Sequence, residues 1–357
     1  MKRNRGNYMI LLPAVMLAML LGSWVADPLL GREGFEERTV NQGTDYQGPV
    51  VSTVVRLLPS DESVACKQSR GTFRGDSAVA VPRRGVLYVH GYNDYFFQDS
   101  MGMEFCDSGY AFYAVDLRRY GRSLRPGQRR YDVRNLNEYF PDIDSAIMQM
   151  HRDGVEEIAL MGHSTGGLIT ALYMAEAPSP YIKALILNSP FLDWNFTGFY
   201  RKVLIPAAAW LGRWLPNVEI SQGDNSIYGE SLLKGKHGEW QFDTTLKLLH
   251  PAPVTLGWVR AINQGQKLLM KDGRKIAVPI LLMHSRRSVQ LEKWDDKAFS
   301  GDLVLNVDSI SSRGRRLGHA GLTEATVDSG LHDLVLSRPR IRRAVYATMF
   351  RFLRKTL

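Results

Sequence analysis

Gly162-His163-Ser164-Thr165-Gly166-Gly167 joins an apolar run, Ile158 to Met161, to a helix-like run, Leu168 to Ala175. A strand that turns sharply into a helix at a serine has the pattern of a nucleophile elbow. The turn is strained and the following helix must pass close to the strand, so the serine needs small neighbours, which Gly162, Gly166 and Gly167 provide. The same turn aims the backbone N–H of Thr165 and the positive end of the helix at whatever Ser164 attacks. Taken alone, glycines around a serine equally fit a strand-to-helix turn without chemistry. The surrounding sequence has to decide.

Upstream, Gly85-Val86-Leu87-Tyr88-Val89-His90-Gly91 reads as a buried strand ending in a His-Gly turn, after which Tyr92 offers a second backbone N–H to an oxyanion. Between the two lies another apolar strand, Ala111 to Asp116, followed by Leu117-Arg118-Arg119-Tyr120-Gly121-Arg122-Ser123. Downstream, Gly330-Leu331-His332-Asp333 closes the last strand-like run, so serine precedes histidine. These four segments, in this order, resemble the α/β-hydrolase superfamily, in the branch of monoglyceride lipases, lysophospholipases and serine aminopeptidases, over residues 80 to 357. The resemblance implies an α/β-hydrolase fold: a doubly wound, mostly parallel sheet with a helical cap inserted after the sixth strand. It also implies a serine hydrolase cleaving carboxylic esters, lipid-like ones such as monoacylglycerols or lysophospholipids. A serine aminopeptidase or acyltransferase would use the same triad, and a non-catalytic binding module of the envelope is the alternative of another class.

The order of elements agrees. Val50 to Leu58 and the stretch around Ala78 to Val81 read as leading antiparallel strands; Val86 to His90, Ala111 to Asp116, Ile158 to Met161, Lys183 to Asn188, Val278 to His284 and Leu322 to Val327 read as parallel and buried. Tyr139 to Met150 has helical spacing with Pro141 near its start. The gap from 192 to 275 is too long for one crossover helix and is expected to form the cap. It holds Trp194, Trp210, Trp214, Trp240 and Trp258, and at least two of these are expected to line a pocket extended by Tyr95, Phe96 and Phe97.

Serine is a poor nucleophile at its free pKa and needs a base; His332 is the candidate, with the N–H groups of Tyr92 and Thr165 as the oxyanion hole. His90 and His163 are expected only to fix their turns by hydrogen bonds. The acid is less direct, because Met283-His284-Ser285-Arg286-Arg287-Ser288 lacks a carboxylate where the resembled family carries one. With Ser285 to Ser300 read as an insertion, the stretch from Gly301 to Ser309 resembles the family's acid-bearing segment and Asp302 is expected to complete the triad. Asp308, which could instead cap a helix with Ser309 and Ser312 nearby, and Asp193 are the alternatives, followed by Asp295 or Asp296. An aminopeptidase would need cap carboxylates for the substrate's amino group, and Glu219, Asp224, Glu230, Glu239 and Asp243 are available.

The 357 residues suffice for one large domain spanning 49–357. Lys2, Arg3 and Arg5 precede an apolar run from Tyr8 to Ala26, long enough to cross a bilayer. Residues flanking it fit signal cleavage poorly, so 1–27 is expected to be an uncleaved membrane-spanning signal anchor rather than a removed signal peptide, with 28–48 as linker and the catalytic domain exported, periplasmic or extracytoplasmic. Secretion after cleavage is the alternative. The formal charge of +9 is concentrated in Arg118 to Arg130 and Arg338 to Lys355. No nucleic-acid recognition motif accompanies them, so a solvated surface or attraction to anionic lipid is expected. In the second segment, Ile341, Val345, Met349 and Phe352 have the spacing of a helix packed on the sheet with its arginines outward. Cys66 and Cys106 either pair or are separately buried, and without metal-ligand spacing neither metal nor cofactor is expected.

Overall fold

The computed structural model describes residues 34–58, 81–196, 198–221, 226–318 and 320–357. An eight-stranded sheet forms the centre. Its first half comprises β1 (Phe35–Asp45), β2 (Gly48–Leu57), β3 (Arg84–Val89), β4 (Ala111–Asp116) and β5 (Glu157–His163), with helices α1 (Asp99–Asp107) and α2 (Phe140–Arg152) as crossovers. After β5 come α3 (Thr165–Glu176) and β6 (Ile182–Asn188), then the cap. The cap contains a π-helical turn at Tyr200–Leu204 running into α4 (Ile205–Leu211), a small ribbon of β7 (Glu219–Ile220) and β8 (Val254–Thr255), and α5 (Ser226–Leu232) between them. The chain then continues through α6 (Leu256–Asp272), β9 (Ile280–Ser285), α7 (Val307–Gly314), β10 (Leu322–Val327) and α8 (Pro339–Thr356).

The strands lie in the order β1-β2-β4-β3-β5-β6-β9-β10. β1 and β2 run antiparallel to their neighbours, and all the other pairs are parallel. β3 pairs with both β4 and β5, so the winding direction reverses there and the crevice opens at the carboxyl end of β5. The central residues of the inner strands are almost all apolar and buried because helices cover both faces. One core layer gathers α2, α3 and α6 with residues such as Ile143, Leu172 and Ile262; the other gathers α1 and α8 with Phe105, Val345 and Met349. Helix α8 follows the expected pattern, burying Val345, Met349 and Phe352, while Ile341 stays partly exposed.

Several expectations are corrected. Residues 35–45, expected within a linker, form edge strand β1. The strand is polar because it lies at an edge, and its acids are used: Glu37 pairs with Arg122 at 2.6 Å, and Asp45 pairs with the fully buried Arg119. The arginines at the start of the 118–130 segment are therefore not a solvated cationic patch. Arg118 forms a bidentate pair with buried Asp142, and Arg122 also reaches Asp116 at 2.7 Å. Strand β10 is only partly buried, since it closes the opposite edge. The cap ends near residue 255 rather than 275, because α6 packs on α3 as the crossover between β6 and β9. Residues 78–80, Cys66 and the whole of 1–27 lie outside the described residues. Among the described residues no helix is long and apolar enough to cross a membrane. Cys106 is buried, which pushes its thiol well above the usual range.

Candidate active site

Ser164 sits between β5 and α3 with φ 52° and ψ −117°, a conformation that L-residues avoid unless the surroundings impose it. Here they do. Its N–H donates to the Asn188 carbonyl at the end of β6, and its own carbonyl accepts from Leu168 and Phe191 N–H at 3.2 and 2.9 Å. Gly166 is required where the helix passes under the neighbouring strand, since a Cβ there would collide with the His90 carbonyl. A Cβ on Gly91 would stand 3.0 Å from that of Ser164, so the turn carrying Tyr92 lies directly against the serine. His90 Nε2 accepts from Leu117 N–H at 3.0 Å, and its Nδ1 donates to the Gly91 carbonyl at 2.8 Å. Burial pushes its pKa down, which suits this neutral, turn-fixing role.

His332 Nε2 lies 2.9 Å from Ser164 Oγ, and its Nδ1 lies 2.9 Å from Asp302 Oδ2. An ionised carboxylate only accepts, so Nδ1 carries the proton and Nε2 is left to accept from the serine. Asp302 is wholly buried; its other oxygen accepts from the N–H groups of Val304 and Leu305 at 2.7 and 2.9 Å. The chain returns it to the sheet end through Arg287 and Val289: Asp302 N–H donates to the Arg287 carbonyl and Val289 N–H to the Asp302 carbonyl. The intervening residues loop out, which is how an acid seventeen residues beyond Ser285 reaches the histidine.

The other carboxylates lie elsewhere. Asp193 pairs with Arg201 and Arg313, and Asp308 is exposed in the first turn of α7, which is capped by Asn306 instead. Asp295 caps a short helix by accepting from Lys297 N–H, and Asp296 is exposed beside it. Of the acids considered for an amino group, Asp224 lies outside the described residues, Glu239 pairs with Arg342, and Asp243 accepts from Thr245. Glu219 is exposed and Glu230 partly buried, and no hydrogen bond joins either to Ser164 or His332.

Sequence reasoning missed a second layer. Asp333 is fully buried and accepts from Asn188 Nδ2 at 2.7 Å and Gln98 Nε2 at 3.1 Å, while its N–H donates to Tyr228 Oη. These bonds fix the backbone next to His332, and position 333 was the only hint in the sequence. His163, expected to fix its turn by hydrogen bonds, makes none through its ring. That ring lies 4.9 Å from that of His332 and 3.7 Å from Asp94, whose carboxylate meets Lys247 of the cap at 3.0 Å. Burial would raise the Asp94 pKa, but Lys247 and His163 outweigh it and hold the carboxyl at about 2.

The Trp residues of the 192–275 segment have separate places. Trp258 is buried against Tyr92, Trp194 is half-buried against it, and Trp240 donates to the Leu336 carbonyl. Trp210 and Trp214 face outward. A groove of about 960 Å3 runs beside the oxyanion turn, where Tyr95, Phe97 and Phe242 alternate with the charged Glu37, Arg122 and Asp243; neither these tryptophans nor Ser164 line it. Phe96 is instead a core residue. Among the described residues no group of His, Cys, Asp and Glu is placed to hold a metal ion.

A mostly parallel sheet with a serine elbow after β5 and a histidine beyond the last strand makes this molecule an α/β-hydrolase of the serine hydrolase type. The chain belongs to the family described as serine aminopeptidase, S33, which it matches over residues 80–292. Among curated proteins it is similar to phospholipase YtpA of Bacillus subtilis, 24% identical over 239 residues covering 66% of this chain and 82% of that protein. It is also similar to the bifunctional esterase/perhydrolase DCH of Acinetobacter calcoaceticus, 24% identical over 67% of this chain and 86% of the other. Among solved structures it shares its fold with a soluble variant of monoglyceride lipase from Saccharomyces cerevisiae, at a TM-score of 0.60 and 17% identity, over 89% of this chain and 96% of that one. The monoacylglycerol lipase of Paleococcus ferrophilus aligns at 0.55 and 19%, over 78% and 97%.

Proposed function

We propose that this chain hydrolyses carboxylic esters of lipid-like substrates, monoacylglycerols or lysophospholipids, through Ser164, His332 and Asp302. The observation that carries this reading is the continuous hydrogen-bonded line from Ser164 Oγ through His332 to Asp302. His332 Nε2 takes the Ser164 proton as Oγ attacks the carbonyl carbon. The N–H groups of Tyr92 and Thr165 receive the oxyanion, each such donor lowering the barrier by about 3–4 kcal/mol. His332 then gives its proton to the departing alcohol, leaving an acyl-enzyme that water cleaves by the reverse sequence. Asp302 holds the imidazole in the productive tautomer and stabilises its charged form. No step calls for a metal or cofactor. The lipid-like substrate is supported by the similarity to the relative named phospholipase.

The test uses the full-length chain in detergent with a fluorophosphonate probe and a series of acyl esters, monoacylglycerols, lysophospholipids and aminoacyl anilides. Ser164→Ala is expected to lose labelling and to cut turnover by about 10⁶-fold, and Asp302→Asn by about 10⁴-fold. Turnover of aminoacyl anilides above all esters would move the reading to an aminopeptidase. A folded wild type that neither labels nor turns over any of them would leave a binding module. The basic start and the apolar run from Tyr8 to Ala26 further support an anchored protein with its catalytic domain exported. Protease protection in intact cells, with sequencing of the mature N-terminus, tests that placement.

A further inference from the structure

The outward stretch of the cap is built with its polarity reversed. Along the turn at 200–204 and α4, the fully buried positions are small, Ala209 and Gly212, with Ile205, Pro206 and Ala208 half-buried beside them, and a Cβ on Gly212 would collide with the Leu256 carbonyl. The side facing solvent is large and apolar. Phe199, Tyr200, Trp210 and Trp214 are 63%, 62%, 64% and 65% exposed, and Val203, Leu204 and Leu215 continue the surface. A helix that meets water normally buries its apolar stripe and turns charge outward. This one is anchored firmly at its small face and offers aromatic rings to its surroundings, as interfacial anchors do.

Charge identifies what those surroundings are. No Asp or Glu occurs between Asp193 and Glu219, whereas Arg201, Lys202 and Arg213 lie within that stretch. Arg201 is paired with Asp193, and Arg213 stands over the Trp214 ring, 5.1 Å from its centre. Lys202 is exposed beside the apolar residues. An apolar surface with aromatic rings, cationic flanks and no acids is complementary to the headgroup region of an anionic bilayer.

We propose that residues 199–215 of the cap form a docking surface that inserts into the headgroup region of anionic phospholipid membranes. Tyr200, Trp210 and Trp214 are its anchors; Lys202 and Arg213 meet the lipid phosphates. Docking does not depend on the esterase reading, because Ser164→Ala must dock as the wild type does.

The experiment incorporates the full-length Ser164→Ala chain into vesicles of phosphatidylcholine alone, or of equal parts phosphatidylcholine and phosphatidylglycerol. Each is made with and without lipids brominated on the acyl chains. Subtracting the emission of a Trp210→Phe/Trp214→Phe variant isolates these two tryptophans from any contribution of the N-terminal run. The difference emission is expected to shift to the blue and to be quenched by brominated lipid in the anionic vesicles, and less so in phosphatidylcholine. Lys202→Gln/Arg213→Gln should remove that preference. Equal spectra in both vesicle types with no quenching overturn the proposal. So does a photoreactive group at 210 that crosslinks to residues 8–26 or to a second copy instead of lipid. Circular dichroism and thermal unfolding of each substituted chain, matched to the Ser164→Ala parent, verify that they fold.

Discussion

The two halves of the cap meet opposite environments. Residues 199–215 turn large apolar groups outward, and the only residues they bury fully are the small Ala209 and Gly212. Residues 243–252 turn polar groups inward and bind four consecutive residues of the oxyanion turn. Tyr92 Oη donates to the Ala252 carbonyl at 2.8 Å, and Asn93 exchanges two hydrogen bonds with the backbone of Leu248. Lys247 pairs with Asp94, and Asp243 N–H donates to Tyr95 Oη. Lys247 is almost wholly buried, with the rings of Phe97, Tyr228 and Phe242 within 5.6–6.0 Å. One insertion thus supplies both an outer surface and part of the scaffold of the proposed oxyanion hole. Continuity along the chain says little about which half belongs to the chemistry; the direction of the polar groups does.

The sharpest way to separate the halves is to cut the inner one. Lys247→Met leaves the Asp94 carboxylate buried without its cation and is expected to cost about 3–5 kcal/mol of stability in denaturant unfolding. The turn carrying Tyr92 loses one of its restraints, so kcat on a soluble short-chain ester should fall by up to about 10²-fold with a smaller change in KM. Pairing that substitution with Asp94→Asn removes the stranded charge, and the double variant should recover most of the lost stability. A single variant as stable as the wild type would mean that the inner half is no more attached than the outer.

Acid provides a gentler cut. The Asp94 pKa is depressed from 3.8 to about 2, so its contribution is fully present above pH 4 and is lost as pH falls through about 2. That contribution is on the order of 2 kcal/mol. Lys247→Met, lacking the cation, should lose this part of the acid dependence when unfolding is followed from pH 5 to pH 2. An unchanged pH dependence would remove the pair from the account.

The smallest effect is expected at the outer half. Trp210→Ser and Trp214→Ser touch exposed side chains and should alter stability by no more than about 0.5 kcal/mol, leaving turnover of a soluble ester unchanged. A large loss of stability in either would show that the outward face packs against the protein after all.

The elbow was legible because everything it needs is local: a strand, a serine among small residues and a helix within twenty residues. His332 was legible by its order after the serine. Asp302 was readable through resemblance to an acid-bearing segment, though Asp308 and Asp193 carried similar local signals. What separates them is a return of the chain across the ends of Arg287 and Val289, which has no periodicity to reveal it. Strand β1 was hidden for a related reason, since its polar residues resemble a linker until the buried Arg119 and the partly buried Arg122 are known to lie opposite them.

By itself, then, the sequence determined the inner strands of the sheet, their crossovers, the elbow and the histidine, because strand burial, helical spacing and turn chemistry are written within short windows. Only the tertiary structure decided where the cap tryptophans point, which arginines are buried, and that Lys247 meets Asp94 at a sequence separation of 153. Burial and ion pairing depend on what the fold brings alongside a residue, and no window of neighbours contains that information.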